Sequence, residues 1–596
     1  MRTKRAVGKL LPVAVALVAI LTGAIIVPGL GISAAAKSVA GQLLPGAQAP
    51  AEQSRFQPGT GGASSPNRIT VEAGELQPAP VPASAAAWDT QWSQLLGIKV
   101  LATFDSSGPD AWSAKDHSLV YVTAEGPGYG AAAFGGAFLS GSNTTPGLAV
   151  IDGNTGQAVA SAHYPLDKEP YSENHGLGAS ADGKWFYTQG QFQGKDALMI
   201  INARTLKVDK ILSSRMHHGR VIRDANTGKD LMLIDGWGTF FTLDPSDDNR
   251  VVGAVDPADL KGSGYLGFGD PSGKWLLLSV RTGFNASGGV AVVDLKDWKV
   301  KARITTEDKD PIWVAFSDSG KFAYVSGGHE SKVARIDMSK PNPAEWEVTG
   351  MTNAGTIGPY GLSLSWDEKL LVAIGKGEAS HNQGITAGLI RPAVMQKPPG
   401  AGWGADVAGT VYTGCLRNDH GILHPDPDAN EMWLSCNSSF ENVVLDLAKL
   451  TVKARLPMPN GGSSHNGAFV SYKPDWTGEL LSDTNGLHGS ALQKKLQILG
   501  SASAPGQAAP QVQAPPAAGM SDQVAQGQEI FLKTAGGVGC ASCHGVDALG
   551  MIGPNIRGRT ASQITGALGR VEAMAFIKLT SEQIEAVAAY LATLTH

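Results

Sequence analysis

The sequence predicts an all-β propeller of seven or eight four-stranded blades joined to a small all-α domain, on three observations. A unit of strand, Gly- or Asp-containing turn and strand recurs through the middle of the chain at roughly 40–50 residues, the period of a four-stranded blade. Its strands alternate apolar and polar residues. Beyond residue 520 the period becomes helical, around a CASCH sequence that ends at His544.

The clearest repeat is GLGASADGKWFYTQGQFQGKDALMIINARTLKVDKIL, Gly176 to Leu212. Related copies begin near Phe268, Val314, Gly361, Gly421 and Gly467, with weaker ones near Trp112 and Gly219. Glycine, at 75 of 596 residues, supplies the tight turns that short serial strands need. KVLATF (Lys99 to Phe104) reads as an outermost strand without a blade of its own. It is expected to complete the last blade, whose other strands are expected from Gly467 to Leu499, so that the ring closes and no sheet edge stays exposed.

The flanks set the domain order. Residues 1–37 form a signal peptide or an N-terminal membrane anchor: Arg2, Lys4, Arg5 and Lys9 precede an apolar run from Leu10 to Val27. The small residues Ser33 to Ala36 offer a cleavage site, while the run approaches the length of a membrane span. Either way the basic flank stays inside and the rest is exported, to the periplasm or the extracytoplasmic face of the membrane. Residues 38–85 are an Ala/Pro/Gly-rich linker, 86–500 the propeller, 501–520 a Pro/Ala-rich linker and 521–596 the helical domain. The net charge of −5 excludes a nucleic-acid partner. Of four cysteines, Cys415 and Cys436 lie outside CASCH. In an exported chain such a pair most often forms a disulfide, with metal ligation or free thiols as alternatives.

In CxxCH the thiols of Cys540 and Cys543 form thioethers to a haem and His544 ligates its iron. A zinc or disulfide reading is the alternative. Predicted helices flank the motif: one after an N-cap at Ser521, the other over Ser581 to Leu594, again with a Ser cap. The segment resembles the class I cytochrome c domains. That resemblance makes GPNIRGR (Gly553 to Arg559) the loop that packs on the haem and Met574 the second axial ligand, with Met551 as runner-up. It implies one covalent haem c that exchanges electrons with other electron-transfer proteins.

The propeller holds no dinucleotide or phosphate-binding motif, but its histidines fall in register. His175, His217, His218, His420 and His465 each precede an innermost strand; His329, His381 and His488 follow a second strand. Both positions open on one face of a propeller, so all eight are expected there, where neutral imidazoles make a cage for copper, zinc or iron. Any one of them alone reads equally as a loop residue bonded to a backbone carbonyl. Asp419 and Glu330 adjoin members of the set and are expected to orient rings. Arg220 is the candidate to attract an anion, and taken alone reads rather as a solvated surface residue. His117, His163, His424 and His596 fall out of register. No residue is assigned a catalytic role from sequence.

This pattern, spread over residues 175–488 with the adjacent His217-His218 pair, resembles the His-rich copper propellers, nitrous-oxide reductase and thiocyanate dehydrogenase. The chain departs from the former in having no cupredoxin domain, and Tyr265 and Tyr360 stand where further histidines would be expected. The resemblance implies an oxidoreductase with a polynuclear copper site that converts a small inorganic sulfur or nitrogen compound. A second reading follows from SYKPDWTGELLSDTNGLHGSAL (Ser471 to Leu492), which resembles the nitrite reductases that carry a d-type haem on an eight-bladed propeller. A third is a metal-free binding platform.

Overall fold

The computed structural model describes residues 68–70, 88–126, 147–164, 176–502 and 522–594, apart from 282–287, 307, 309, 329, 377–383, 396–405, 416, 438, 460–462, 536–539, 545–547, 549–554 and 571–576. His175, His329, His381, His596, Met551, Met574, the N-cap at Ser521 and both flanking segments of residues 1–37 and 501–520 in large part lie outside the described residues.

Seven sheets form seven blades. Their innermost strands are Leu177–Ala179, His218–Asp224, Ser263–Gly269, Pro311–Phe316, Pro359–Leu364, Arg417–Leu423 and Ser463–Tyr472, in blades one to seven. The turn after the innermost strand is built the same way in blades one and three. Ser180 accepts from the Trp185 amide at 2.9 Å and Asp270 from the Trp275 amide at 2.8 Å. Gly183 and Gly273 follow at φ +67 and +69, where a side chain would be strained. The inner strands are covered on both faces by neighbouring blades, so several read as continuous apolar runs. Aromatic pairs join adjacent blades, such as Phe268 on Trp313 (4.8 Å between centroids) and Tyr121 on Trp433 (5.0 Å).

Blade seven closes the ring from both ends of the chain. Ser463–Tyr472 pairs with Leu119–Gly126, which is followed outward by Gly147–Asp152 and Ala158–His163. This corrects the expected closure. The outer place in blade seven is filled by Ala158–His163, so Val100–Thr103 pairs instead with Val208–Leu212 as a fifth, outermost strand of blade one.

The segment after Ser463–Tyr472 does not build a blade either. Gly478–Asp483 pairs on the inner side of Ser463–Tyr472 and folds back through Gly486–Leu487, forming a hairpin inside the ring. Its tip is held by neighbouring inner strands: the Val221 amide donates to Asp483 (2.8 Å), and Asn485 exchanges two 3.2 Å bonds with Gly269. Gly489–Ala502 then forms a helix, not a strand. Lys495 (2.5 Å to Asp318) and Lys494 (3.6 Å to Asp426) fix it under the turns of blades four and six. Hairpin and helix therefore stopper the channel at the end opposite the histidine loops.

Cys415 and Cys436 form a disulfide, with Cα atoms 5.3 Å apart, at the head of blade six. In the helical domain, Asp522–Glu529 crosses Ser581–Thr593 in contact. Gly527 permits this, because a Cβ there would strike the Ala586 carbonyl. The last helix is capped by Thr580 rather than by Ser581: Thr580 accepts from the Gln583 amide at 3.3 Å, and Gln583 reaches back to the Thr580 amide at 2.9 Å.

Candidate metal centre

Each innermost strand starts at the same end of the ring, so the residues near those starts converge on the axis. Six blades deliver His218, Tyr265, Trp313, Tyr360, His420 and His465, each at most 7 % exposed. Three are the imidazoles of His218, His420 and His465. Ring centroids lie 4.7 Å apart for His218–His420, 4.7 Å for His420–His465 and 5.2 Å for His218–His465. One nitrogen from each falls within 4.8 Å of the other two. Three nitrogens around one ion at bonding distance stand roughly 3.5 Å apart, so the rings need to close by about an ångström to share an ion.

The hydrogen bonds around the trio decide which nitrogens are open. His420 Nδ1 lies 3.1 Å from the His465 carbonyl, which takes its N–H, and leaves Nε2 without a partner among the described residues. Both ring nitrogens of His218 are buried without a hydrogen-bond partner there. His465 is held differently. Its Nδ1 accepts from the Gly176 amide at 3.1 Å and its Nε2 faces Asp419 at 3.1 Å. Ligation by His465 therefore requires Nε2 to turn from the carboxylate to the ion.

Asp419 joins the site together from behind. It meets His420 Nδ1 at 3.1 Å, His465 Nε2 at 3.1 Å, Lys376 Nζ at 2.9 Å and Asn437 Nδ2 at 3.1 Å. Burial alone would raise its pKa, but His465, Lys376 and His420 outweigh that and hold it well below the usual carboxylate range. Burial, then His217, His420, His465 and Arg220, keep His218 well below the usual imidazole range. Burial also lowers His420, against the pull of Asp419. Both imidazoles are thus neutral at neutral pH, the form that binds a metal. Open nitrogens, neutral rings and a carboxylate that orients two of them fit a borderline transition-metal ion.

The other expected members are placed as follows. His217 is buried beside the trio, its ring 4.1 Å from His218 and stacked at 4.0 Å on Trp237, and is not one of the three converging nitrogens. His488 does not share their face. It follows the hairpin and pairs with Asp483 at 2.8 Å, because the strand expected before it is the return arm of the stopper. Glu330 pairs with Lys332 at 2.9 Å. Arg220 is fully buried: it pairs with Asp235 at 2.7 Å, donates to Thr484 at 3.1 Å on the hairpin tip and to the Gly267 carbonyl, and lies on the Phe268 ring at 4.1 Å. Burial pushes Asp235 up to about 7 despite that arginine. Tyr265 and Tyr360 bridge hydroxyl to hydroxyl at 2.8 Å, and Lys376 sits 4.0 Å over the Tyr360 ring.

Sequence reasoning passed over Trp313 and Lys376. Trp313 sits near an innermost-strand start, as the histidines do, and aligning those starts would have found it. Lys376 directly follows the second strand of blade five, Leu371–Gly375, in the kind of loop where the sequence pattern places His329 and His381, but a pattern of histidines passes over a lysine.

In the helical domain, Cys540 and His544 are both buried one turn apart, the His544 amide donating to the Cys540 carbonyl at 3.0 Å. Phe531 and Tyr590 pack at 5.5 Å in the same core.

No family model and no curated protein matches the chain. Among solved structures it is similar to Kuenenia stuttgartiensis hydrazine synthase, at 13% identity over 51% of this chain and 92% of that one, TM-score 0.41. It is also similar to Pseudomonas aeruginosa periplasmic gluconolactonase (15%, 59% and 99%, 0.42) and to a dihydro-haem d1 dehydrogenase (14%, 64% and 74%, 0.36). Overlaps this weak carry no functional argument, and the reading below rests on the chain's own residues.

Proposed function

We propose that the chain is an exported redox enzyme whose propeller holds copper at His218, His420 and His465, and whose helical domain carries one haem c. The observation that carries the reading is the buried trio: three imidazoles from blades two, six and seven converge, two of them neutral with open nitrogens. Burying polar nitrogens without partners costs stability unless a ligand repays it. The spacing favours an ion over a flat macrocycle, since ring separations near 5 Å leave no slot for a tetrapyrrole between them.

Copper would supply Lewis acidity and electron acceptance toward a small inorganic sulfur or nitrogen compound. The chain's own residues do the rest. His420 is oriented by the His465 carbonyl, Asp419 is a fixed negative charge behind two rings, and the hairpin excludes water from below. Cys540, Cys543 and His544 would hold the haem that exchanges electrons with this centre and with partner electron-transfer proteins. The Cys415–Cys436 disulfide supports an oxidising compartment, and hence the periplasm or the outer face of the membrane.

The test is metal analysis of full-length protein matured with copper and haem available, with its visible spectrum. Copper in addition to one haem iron per chain is expected, and His218→Ala or His420→Ala should lose the copper while keeping the c-haem bands. Protein that holds haem iron alone would end the copper reading.

A further inference from the structure

Trp237 holds a backbone conformation unusual for its type. Gly236, Trp237 and Gly238 lead from Lys229–Asp235 to Phe240–Asp244 in blade two, and Asp235 pairs with His218, which puts this loop at the histidine end of the ring. The Trp237 φ of +58 lies in the left-handed region, which a bulky residue rarely enters. The loop enforces it. A Cβ on Gly236 would strike Thr239 Oγ1 and the Arg215 carbonyl. The Gly236 amide donates to the Thr239 carbonyl at 2.7 Å, and the Thr239 hydroxyl donates to the Gly236 carbonyl at 3.1 Å. Strain of this kind persists only where the surroundings hold it. Here it lays the indole on His217, with ring centres 4.0 Å apart and planes 22° from parallel.

His217 in turn lies 4.1 Å from His218, whereas Trp313 and Tyr360 stand 6.2 and 6.4 Å from that ring. His217, His218, Trp313 and Tyr360 are all buried, but Trp237 is only half-buried. His218, His217 and Trp237 therefore form a closely packed series of π-systems that runs from a candidate metal ligand to the surface. Electronic coupling falls steeply across non-bonded gaps, so such a series is the favoured route for an electron. The half-exposed Arg215, paired with Asp196 at 2.9 Å, lies 5.2 Å from the indole centre. A cation there disfavours a positive hole on the ring, so that the indole passes charge on instead of storing it. We infer that Trp237 is the electron port of the metal centre, through which the iron of a haem c exchanges single electrons with copper at His218 by way of His217. In each transfer one ferrous haem becomes ferric as one cupric ion becomes cuprous, or the reverse; no bond forms or breaks and no proton moves. The port rests on the metal reading, whereas the stack belongs to the chain itself.

The test delivers one electron by a radiolysis pulse to full-length oxidised protein whose copper and haem have been counted. The reduced-haem band then reports the passage of that electron to copper. A fast, copper-dependent decay of the band is expected, lost in Trp237→Leu and kept in Trp237→Tyr, with copper per chain and the copper EPR signal the same in all three proteins. A decay rate independent of protein concentration assigns the haem to the same chain, and one that rises with concentration assigns it to a second molecule. An unchanged fast decay in copper-replete Trp237→Leu would overturn the port and leave the metal reading standing, as would a wild-type electron that never leaves the haem. Loss of copper in Trp237→Leu would make Trp237 a prop of the site and overturn the port likewise. Protein without copper would end the metal reading, and the port with it.

Discussion

Acidification of the copper-free protein tests the electrostatics of the trio directly. His218 and His420 are fully buried and neutral, with pKa values held below the ordinary 6.5. In the unfolded chain both protonate as pH falls through 6.5, whereas in the folded chain their protonation is displaced to lower pH. The unfolded state then binds more protons, so stability falls as pH falls. Each imidazole that stays neutral in the fold costs about 1.4 kcal/mol for every pH unit below 6.5. For His218, held well below that value, the loss between pH 6.5 and 5 is at most about 2 kcal/mol, and His420 adds to it in the same direction. The assay is urea unfolding at pH 7, 6 and 5, read by tryptophan fluorescence. All 13 tryptophans lie at or before Trp476, so this signal reports the propeller and not the helical domain. The double variant His218→Gln, His420→Gln serves as reference and should lack this part of the slope. Equal pH slopes in wild type and variant would refute the argument that these rings are buried in their neutral form.

Three further outcomes follow from individual contacts. Asp419→Asn removes the counter-charge of buried Lys376 and the acceptor that faces His420 and His465; it should destabilise the propeller by roughly 3–5 kcal/mol in chemical unfolding and weaken copper retention against a chelator. Replacing Cys415 and Cys436 together by Ser opens a loop of sequence separation 21 and should cost about 3 kcal/mol, seen as a lower urea midpoint that reductant no longer shifts. Gly527→Val places a side chain against the Ala586 backbone and should destabilise the helical domain by about 1–3 kcal/mol, melting the haem bands earlier while tryptophan fluorescence stays at its wild-type midpoint.

The blades were legible because their physics is local. A Gly- or Asp-containing turn between two alternating strands announces itself within a dozen residues, and the start of the next inner strand follows from it. That is why His217, His218, His420 and His465 were placed together at one end of the ring. The number of blades was not legible, because the seventh is assembled from residues 119–163 and 463–472, and no local pattern reports a pairing over that distance. Gly478–Asp483 misled for the same reason: a strand turned inward as a stopper has the alternation of a strand in a blade. His488 inherited that error. The hydrogen bonds that leave His218 and His420 open while engaging His465 depend on Gly176 and Asp419 arriving from other blades, so spacing alone could not distinguish the three rings.

The seam in blade seven sets the timetable by which the centre is completed. Thr123 donates to the carbonyl of Asn466, 343 residues further along, and His465 is the residue just before that acceptor. An emerging chain therefore carries His218 long before it possesses His465, and the trio exists only after Ser463–Tyr472 has been zipped into place beside Leu119–Gly126. Early fragments present at most one of the three rings, too few to capture an ion for long. Any ion held by all three then acts as a clasp across the seam: its ligands lie on blades two, six and seven, and stripping it out should let the ring open there first. Loading of the proposed metal would then favour molecules whose two ends have met.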